Sequence, residues 1–327
     1  GGGVLITGAN VLLTDVIVRD CFGRYGGGIA ALHDQSTTGT YLTMKWSSIR
    51  DNLAETAGGG IFAQTDTKGR IDNCVIRQNG ADGDGGGIMI EEDVVDYVMS
   101  NCSIFDNVAQ NQGGGVYVGG ATSGVVSALA FVNLTVAYNT ANTGSGVYLS
   151  GAALGGTVAR KVVSTILYKN PAGQNDDNIV IANGIATFEG QNSFVGLRVN
   201  TVQAFTAGNG SFIDAGTTLN PGWVNPAARN FRLKFTSICI DQGNDEELFP
   251  DQTDLDDDIN VNEPVSRDLY HPDLALIPFN LTTREVSVPG AGTTPVGGSI
   301  GVDDALHLGV ICDIGAFEHR IVDILPQ

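Results

Sequence analysis

Along roughly the first 198 residues, apolar side chains recur at every second position. Ile29/Ala31, Ile61/Ala63, Ile88/Ile90, Val116/Val118, Val147/Leu149 and Ile179/Ile181 each place two side chains on one face of an extended segment. No stretch shows a 3.6-residue amphipathic period with a cap at both ends, so the predicted elements are short strands. A glycine-rich mark precedes each pair: Gly26-Gly27-Gly28, Gly58-Gly59-Gly60, Gly85-Gly86-Gly87, Gly113-Gly114-Gly115 and Gly144-Ser145-Gly146, with a worn copy at Asp176-Asp177-Asn178. Counting from Gly1-Gly2-Gly3, successive marks start 25 to 32 residues apart. Five or six residues before each later mark stand Cys21, Asn52, Asn79, Asn107, Asn139 and Asn170, and three residues before those stand Val18, Ile49, Ile76, Ile104, Val136 and Leu167.

Units of this length, built from short strands and Gly/Asn turns, predict an all-β fold in which each unit is one coil of a parallel β-helix, with right-handed crossovers. Equivalent residues of successive coils then stack about 4.8 Å apart. The aliphatic ladders fill the interior, the glycines allow a tight corner, and the asparagine amides bond the copies above and below. Leucine-rich repeats would need a Leu-x-x-Leu-x-Leu frame, and a propeller blade would need four strands in a longer unit. The solenoid is expected over residues 1–240, less regular beyond about 198. Residues 241–327 lack the triplet and are expected to form an acidic C-terminal cap or wrap. The chain starts on a glycine triplet with no capping segment ahead of it, which predicts either head-to-tail stacking of chains into filaments or removal of a cap.

Two motif sets resemble known families. Gly-Gly-Gly-Ile with Ile76-Arg77-Gln78-Asn79 and Ile104-Phe105-Asp106-Asn107 is similar to the GGAI/FxxN repeats of bacterial polymorphic outer-membrane proteins. The C-terminal third resembles bacterial secreted right-handed β-helix proteins of the choice-of-anchor Q type. That likeness rests on Asn220-Pro221 through Ala228, Phe231-Arg232-Leu233, Ser237 to Gly243, Thr253-Asp254-Leu255-Asp256 and Asp313-Ile314-Gly315-Ala316-Phe317-Glu318. An acidic insertion running to Arg267 departs from the pattern. The resemblance implies a pectate-lyase-like β-helix exported to the cell surface or beyond, and it implies no single activity.

Composition narrows the chemistry. The 327 residues carry a net charge of −19, which removes the electrostatic case for nucleic-acid binding. No apolar run is long enough to span a bilayer as a helix. Residues 241–275 hold twelve carboxylates and one base, Arg267; dense oxygen ligands there suit Ca²⁺, with Asp254, Asp256 and Asp258 as the candidate ligands, though a solvated acidic loop has the same look. The repeats place Arg19, Arg50 and Arg77 in one outward column, with Asp20, Asp51 and Asp106 in the next. Such a row could hold uronates for a polysaccharide lyase, or merely neutralise its neighbours. Asp82/Asp84 and Glu91/Glu92/Asp93/Asp96 are candidate carboxylates for a glycoside hydrolase, without a spacing that fixes their separation. Histidines 33, 271, 307 and 319 are scattered. Cys74 and Cys102 share a ladder position and should stack inside as small apolar groups, whereas Cys239 and Cys312 are the candidate disulfide. Asn101, Asn133, Asn209 and Asn280 head glycosylation triplets. These features predict an extracellular structural or adhesive surface protein that associates with itself or with an envelope or matrix component. The alternative is an enzyme acting on acidic polysaccharide, and a third reading is a glycan-binding module without chemistry.

Overall fold

In the computed structural model of the chain, the described residues are 1–34, 39–94, 96–122, 124–151, 157–172, 175–182, 187–196, 213–216, 219–234, 236–239 and 243, with short strands at Phe279–Asn280, Glu285–Val288 and Gly292–Pro295. They form a parallel β-helix. The early coils each cross four sheets in turn and the later ones three, and each inner strand pairs with its counterparts one coil earlier and one coil later. Sheet 1 holds seven strands from Val4–Thr7 to Ile179–Ile181, and sheet 2 holds seven from Asn10–Thr14 to Thr187–Gln191. Sheet 3 has eight, from Ile17–Arg19 to Ile213–Gly216. Sheet 4 is shorter, with four strands from Phe22–Tyr25 to Val108–Ala109. Among the described residues there is no α-helix; the one helical turn is the 3₁₀ segment Pro226–Ala228.

The register follows the repeat. Ile29 pairs with Ile61, Ile61 with Ile88, Ile88 with Val116, Val116 with Val147 and Val147 with Ile179. In sheet 3, Val18, Ile49, Ile76, Ile104, Val136 and Leu167 are successive partners. All of these except Val18, at 6%, are at most 1% exposed and belong to one continuous core running along the solenoid axis. Removing a fully buried aliphatic side chain from water contributes about 2 kcal/mol, and the stacked columns repeat that gain coil after coil.

The corners explain the punctuation. Between sheets 2 and 3 the chain turns through a left-handed residue, with φ from 45° to 54°, at Asp15, Trp46, Asn73, Asn101, Asn133, Ser164 and Asn192. Between sheets 3 and 4 it does so again, with φ from 55° to 59°, at Asp20, Asp51, Gln78, Asp106, Tyr138 and Lys169. Asp and Asn tolerate this region best and fill most of these positions; Trp46, Tyr138 and Lys169 hold it because the coils on either side fix it. Within a triplet the glycines have different jobs. Gly58 has φ +67°, whereas a Cβ on Gly60 would sit 2.6 Å from the Gly87 carbonyl oxygen and 3.0 Å from the Asn79 amide nitrogen.

Beyond Leu219 the chain leaves the winding. Trp223–Asn225 and Asn230–Leu233 pair antiparallel and fold back onto the outer face of sheet 3. There Trp223, Phe231, Leu233 and Cys239 form a second apolar cluster with Ala137, Ile166 and Phe194, flanked by Phe105, Tyr138 and Tyr168. The less regular continuation expected up to about residue 240 is therefore, over this segment, a strap along the side of the solenoid.

Candidate functional site

Most of the polar side chains singled out by the repeat face other coils. From Asn79 on, each ladder asparagine accepts two hydrogen bonds on Oδ1 from its predecessor, one from the backbone N–H and one from Nδ2. Asn52 donates both to Asn79 (3.1 and 2.9 Å), Asn79 to Asn107 (3.0 and 3.0 Å), Asn107 to Asn139 (3.0 and 2.9 Å) and Asn139 to Asn170 (3.0 and 3.0 Å). Each Nδ2 also donates to the carbonyl of the ladder aliphatic one coil back: Val18, Ile49, Ile76, Ile104 and Val136. At one end the Cys21 backbone N–H donates to Asn52 Oδ1 at 3.1 Å. At the other, Asn170 donates both bonds to Asn178, only eight residues ahead. Asn178 stands at the third position of the worn triplet, where every other copy has glycine. Its own amide fills the place that a ladder asparagine of the next coil would take. The sequence showed that this copy was irregular; what its asparagine does was not legible from it.

Arg19, Arg50 and Arg77 are partners in register on the outer face of sheet 3, and the next three residues of that column are Phe105, Ala137 and Tyr168. Each arginine turns to its own corner. Arg50 meets Asp51 at 2.6 Å, Arg19 meets Asp20 at 3.6 Å, and Arg77 donates to Gln78. Asp106, whose coil has Phe105 at the arginine position, receives Arg229 from the strap instead. Nε and Nη2 donate to the two carboxylate oxygens at 2.7 and 2.6 Å, and the guanidinium carbon lies 3.9 Å from the Tyr138 ring centroid. That carboxylate holds Arg229 even more firmly protonated than usual. Arg19 with Asp20, Arg50 with Asp51 and Arg229 with Asp106 thus offset charge at three corners, while Arg77 meets a neutral partner.

The outer face of sheet 1 is different. Its outward column runs in register from Leu5 through Phe62, Met89, Tyr117 and Tyr148 to Val180. The Tyr117 and Tyr148 rings stack on one another, with centroids 5.3 Å apart and planes 6° from parallel. Asp84 lies before the strand Ile88–Ile90, and Glu91 and Glu92 lie after it. Burial raises the Asp84 carboxyl above its ordinary range, opposed by the Gln112 N–H, which donates to Oδ1 at 3.0 Å. Burial also raises the Tyr117 phenol, and Asp84 and Glu92 both push it further the same way while Ser150 bonds it. Asp82 accepts from Gln110 at 3.0 Å and Asp93 accepts twice from Thr122 at 2.6 Å, so these carboxylates join neighbouring coils.

Cys74 and Cys102 are fully buried free thiols in the main core, and burial pushes the Cys102 thiol up. Cys239 is buried in the second cluster; Cys312 lies outside the described residues, as do Asp254, Asp256 and Asp258. Asn101 and Asn133 are completely buried, which closes those two triplets to glycosylation. Among the described residues no three His, Cys, Asp or Glu side chains come together as a metal site, and no helix is long and apolar enough to cross a membrane. Fold and surface together define a parallel β-helix repeat protein. Compared with protein-family models, curated proteins and solved structures, the chain matches none.

Proposed function

We propose that this chain is a structural or adhesive β-helix element of the cell exterior, similar in role to the choice-of-anchor Q proteins its C-terminal motifs resemble. It acts by associating with copies of itself or with an envelope or matrix polymer. The observation that supports this reading is the asparagine ladder from Asn52 to Asn178: the solenoid spends its buried amides on bonding coil to coil, which makes a stiff rod. The acidic segment, with Asp254, Asp256 and Asp258 as ligands, takes Ca²⁺ and stiffens the region after the solenoid. The second reading, a lyase or hydrolase on acidic polysaccharide, is favoured only by the register of Arg19, Arg50 and Arg77, and Asp20 and Asp51 already occupy two of those arginines.

Negative-stain imaging and light scattering of the full chain across a concentration series, with and without Ca²⁺, test the reading. Rods or higher assemblies, or retention on envelope or matrix polymers, are expected. A strictly monomeric protein that releases unsaturated uronates or reducing ends from a polysaccharide panel overturns it in favour of the enzyme. A calorimetric titration without Ca²⁺ heat removes the metal alone.

A further inference from the structure

The residue that follows the corner between sheets 2 and 3 forms a column of its own. Val16, Ser47, Cys74, Cys102, Leu134 and Thr165 each present a carbonyl to a backbone N–H one coil later. Where that residue carries a hydroxyl, the side chain bonds twice. Ser47 and Thr165 each donate to the carbonyl two residues back at 2.9 Å, and each accepts the N–H of the column residue one coil earlier at 3.2 Å. Ser193 accepts the Thr165 N–H in the same way. Cys74 and Cys102 keep the first of these bonds: their thiols donate to the Asp72 and Ser100 carbonyls, both at 3.1 Å. Sulfur serves the second poorly, being a weak acceptor. Two successive rungs therefore carry the weaker corner residue side by side, and what they add is something a hydroxyl does not offer, a covalent bond between neighbours.

The geometry brings the two sulfurs together. Val75 pairs with Ser103, so the residues just before them are in register as well. Stacked coils hold such residues about 4.8 Å apart, within the roughly 4.4–6.8 Å that separates the α-carbons of a disulfide. Cys102 Sγ also lies 3.4 Å from the Ile71 carbonyl oxygen, in the coil of Cys74, while Cys74 Sγ sits at the very next carbonyl, that of Asp72. Neither cysteine lies within a strand; each follows a left-handed asparagine, Asn73 or Asn101. The small approach of the β-carbons that the bond requires thus breaks no rung of a sheet.

We propose that Cys74 and Cys102 close a disulfide that staples their two coils when the chain folds in the presence of a low-molecular-weight disulfide. The two thiols together give up two protons and two electrons; the oxidant, RSSR, takes up both and leaves as two RSH. The attacking species is a thiolate, and burial pushes the Cys102 thiol up, so Cys102 of the folded, reduced protein resists that attack. The bond is made as the coils assemble, and the same burial then shields it from reductants.

The test starts from the reduced, denatured full chain, refolded with oxidised and reduced glutathione or, as the reference, with reductant alone. Each product is alkylated in denaturant and digested for mass spectrometry. A peptide pair joined through Cys74 and Cys102 is expected from the first product only. Amide exchange in Val75–Arg77 and Ser103–Phe105 is expected to be about tenfold or more slower than in the reduced reference. Cys74→Ser and Cys102→Ser place there the residue found at Ser47 and Ser193; these variants are expected to fold, to give no joined pair and to exchange alike under both conditions. Alkylation of both cysteines after oxidative refolding, a bond from either to Cys21, Cys239 or Cys312 instead, or a joined pair without slower exchange each overturns the proposal. The peptide map of the unaltered chain decides the pairing even where a variant fails to fold. The inference stands apart from the structural and adhesive reading, which none of these outcomes touches.

Discussion

Five hydrogen bonds meet at the side chain and backbone N–H of Asn79: two received from Asn52, two given to Asn107 and one given to the Ile49 carbonyl. The residue is 1% exposed, so none of these groups has water as a substitute. Asn79→Ala is expected to lower the unfolding free energy by about 3 kcal/mol in denaturant titrations, since it strands buried partners in both neighbouring coils. Asn79→Asp is the sharper case. It nearly keeps size and can still accept from Asn52, but the Nδ2 donor is gone and a carboxylate oxygen faces the Ile49 carbonyl and the Asn107 oxygen. A loss from Asn79→Asp that equals or exceeds that from Asn79→Ala is expected, and a neutral result would mean that the ladder is ornamental. The sequence marked these asparagines by their spacing, and their pairing along the axis follows from β-strand stacking. It could not show that Asn178 joins the series, because that depends on a side chain from the triplet corner reaching the place of a residue from the asparagine corner.

At the scale of elements, the strap is the feature the repeat does not announce. Its contacts with sheet 3 reach as far as 123 residues along the sequence, between Arg229 and Asp106, and no local period encodes such a pairing. A trace is visible in hindsight: the outward column changes from Arg19, Arg50 and Arg77 to Phe105, Ala137 and Tyr168 where the strap begins to cover it. Arg229→Lys keeps the charge but loses the forked pair and much of the stacking on Tyr138. It is expected to open the Trp223–Leu233 hairpin by about 1–2 kcal/mol, read as faster amide hydrogen exchange in that hairpin and a change in Trp223 fluorescence. Exchange in the sheet 1 strands should stay as it was. If the coils loosen with the hairpin, the strap is part of the solenoid's own stability and not an accessory laid over it.

For the molecule as a whole, stability in a solenoid is a sum over neighbouring coils, so opening of the middle coils is a meaningful local event. Cys74 and Cys102 report on it. Both have no exposed surface in the core, whereas Cys21 near the first coil is half-buried. A thiol reagent is expected to modify Cys21 in the native protein and to reach Cys74 and Cys102 only as denaturant opens the coils around them. Rapid native labelling of either buried thiol would mean that the central coils breathe far more than their packing implies.

The coil was legible from the chain alone: two-residue alternation, glycine triplets and spaced asparagines prescribe strands, corners and an axial register, because in a parallel stack each unit meets only its neighbours and the same rule applies at every step. Folding in three dimensions adds that the strap lies on sheet 3, that Asn178 joins the ladder, and that Arg19 and Arg50 pair at their own corners. The strap's place depends on side chains far apart in the chain meeting across the surface, of which the repeat shows only a trace in its outward column, and Asn178 enters the ladder from a different corner of the coil.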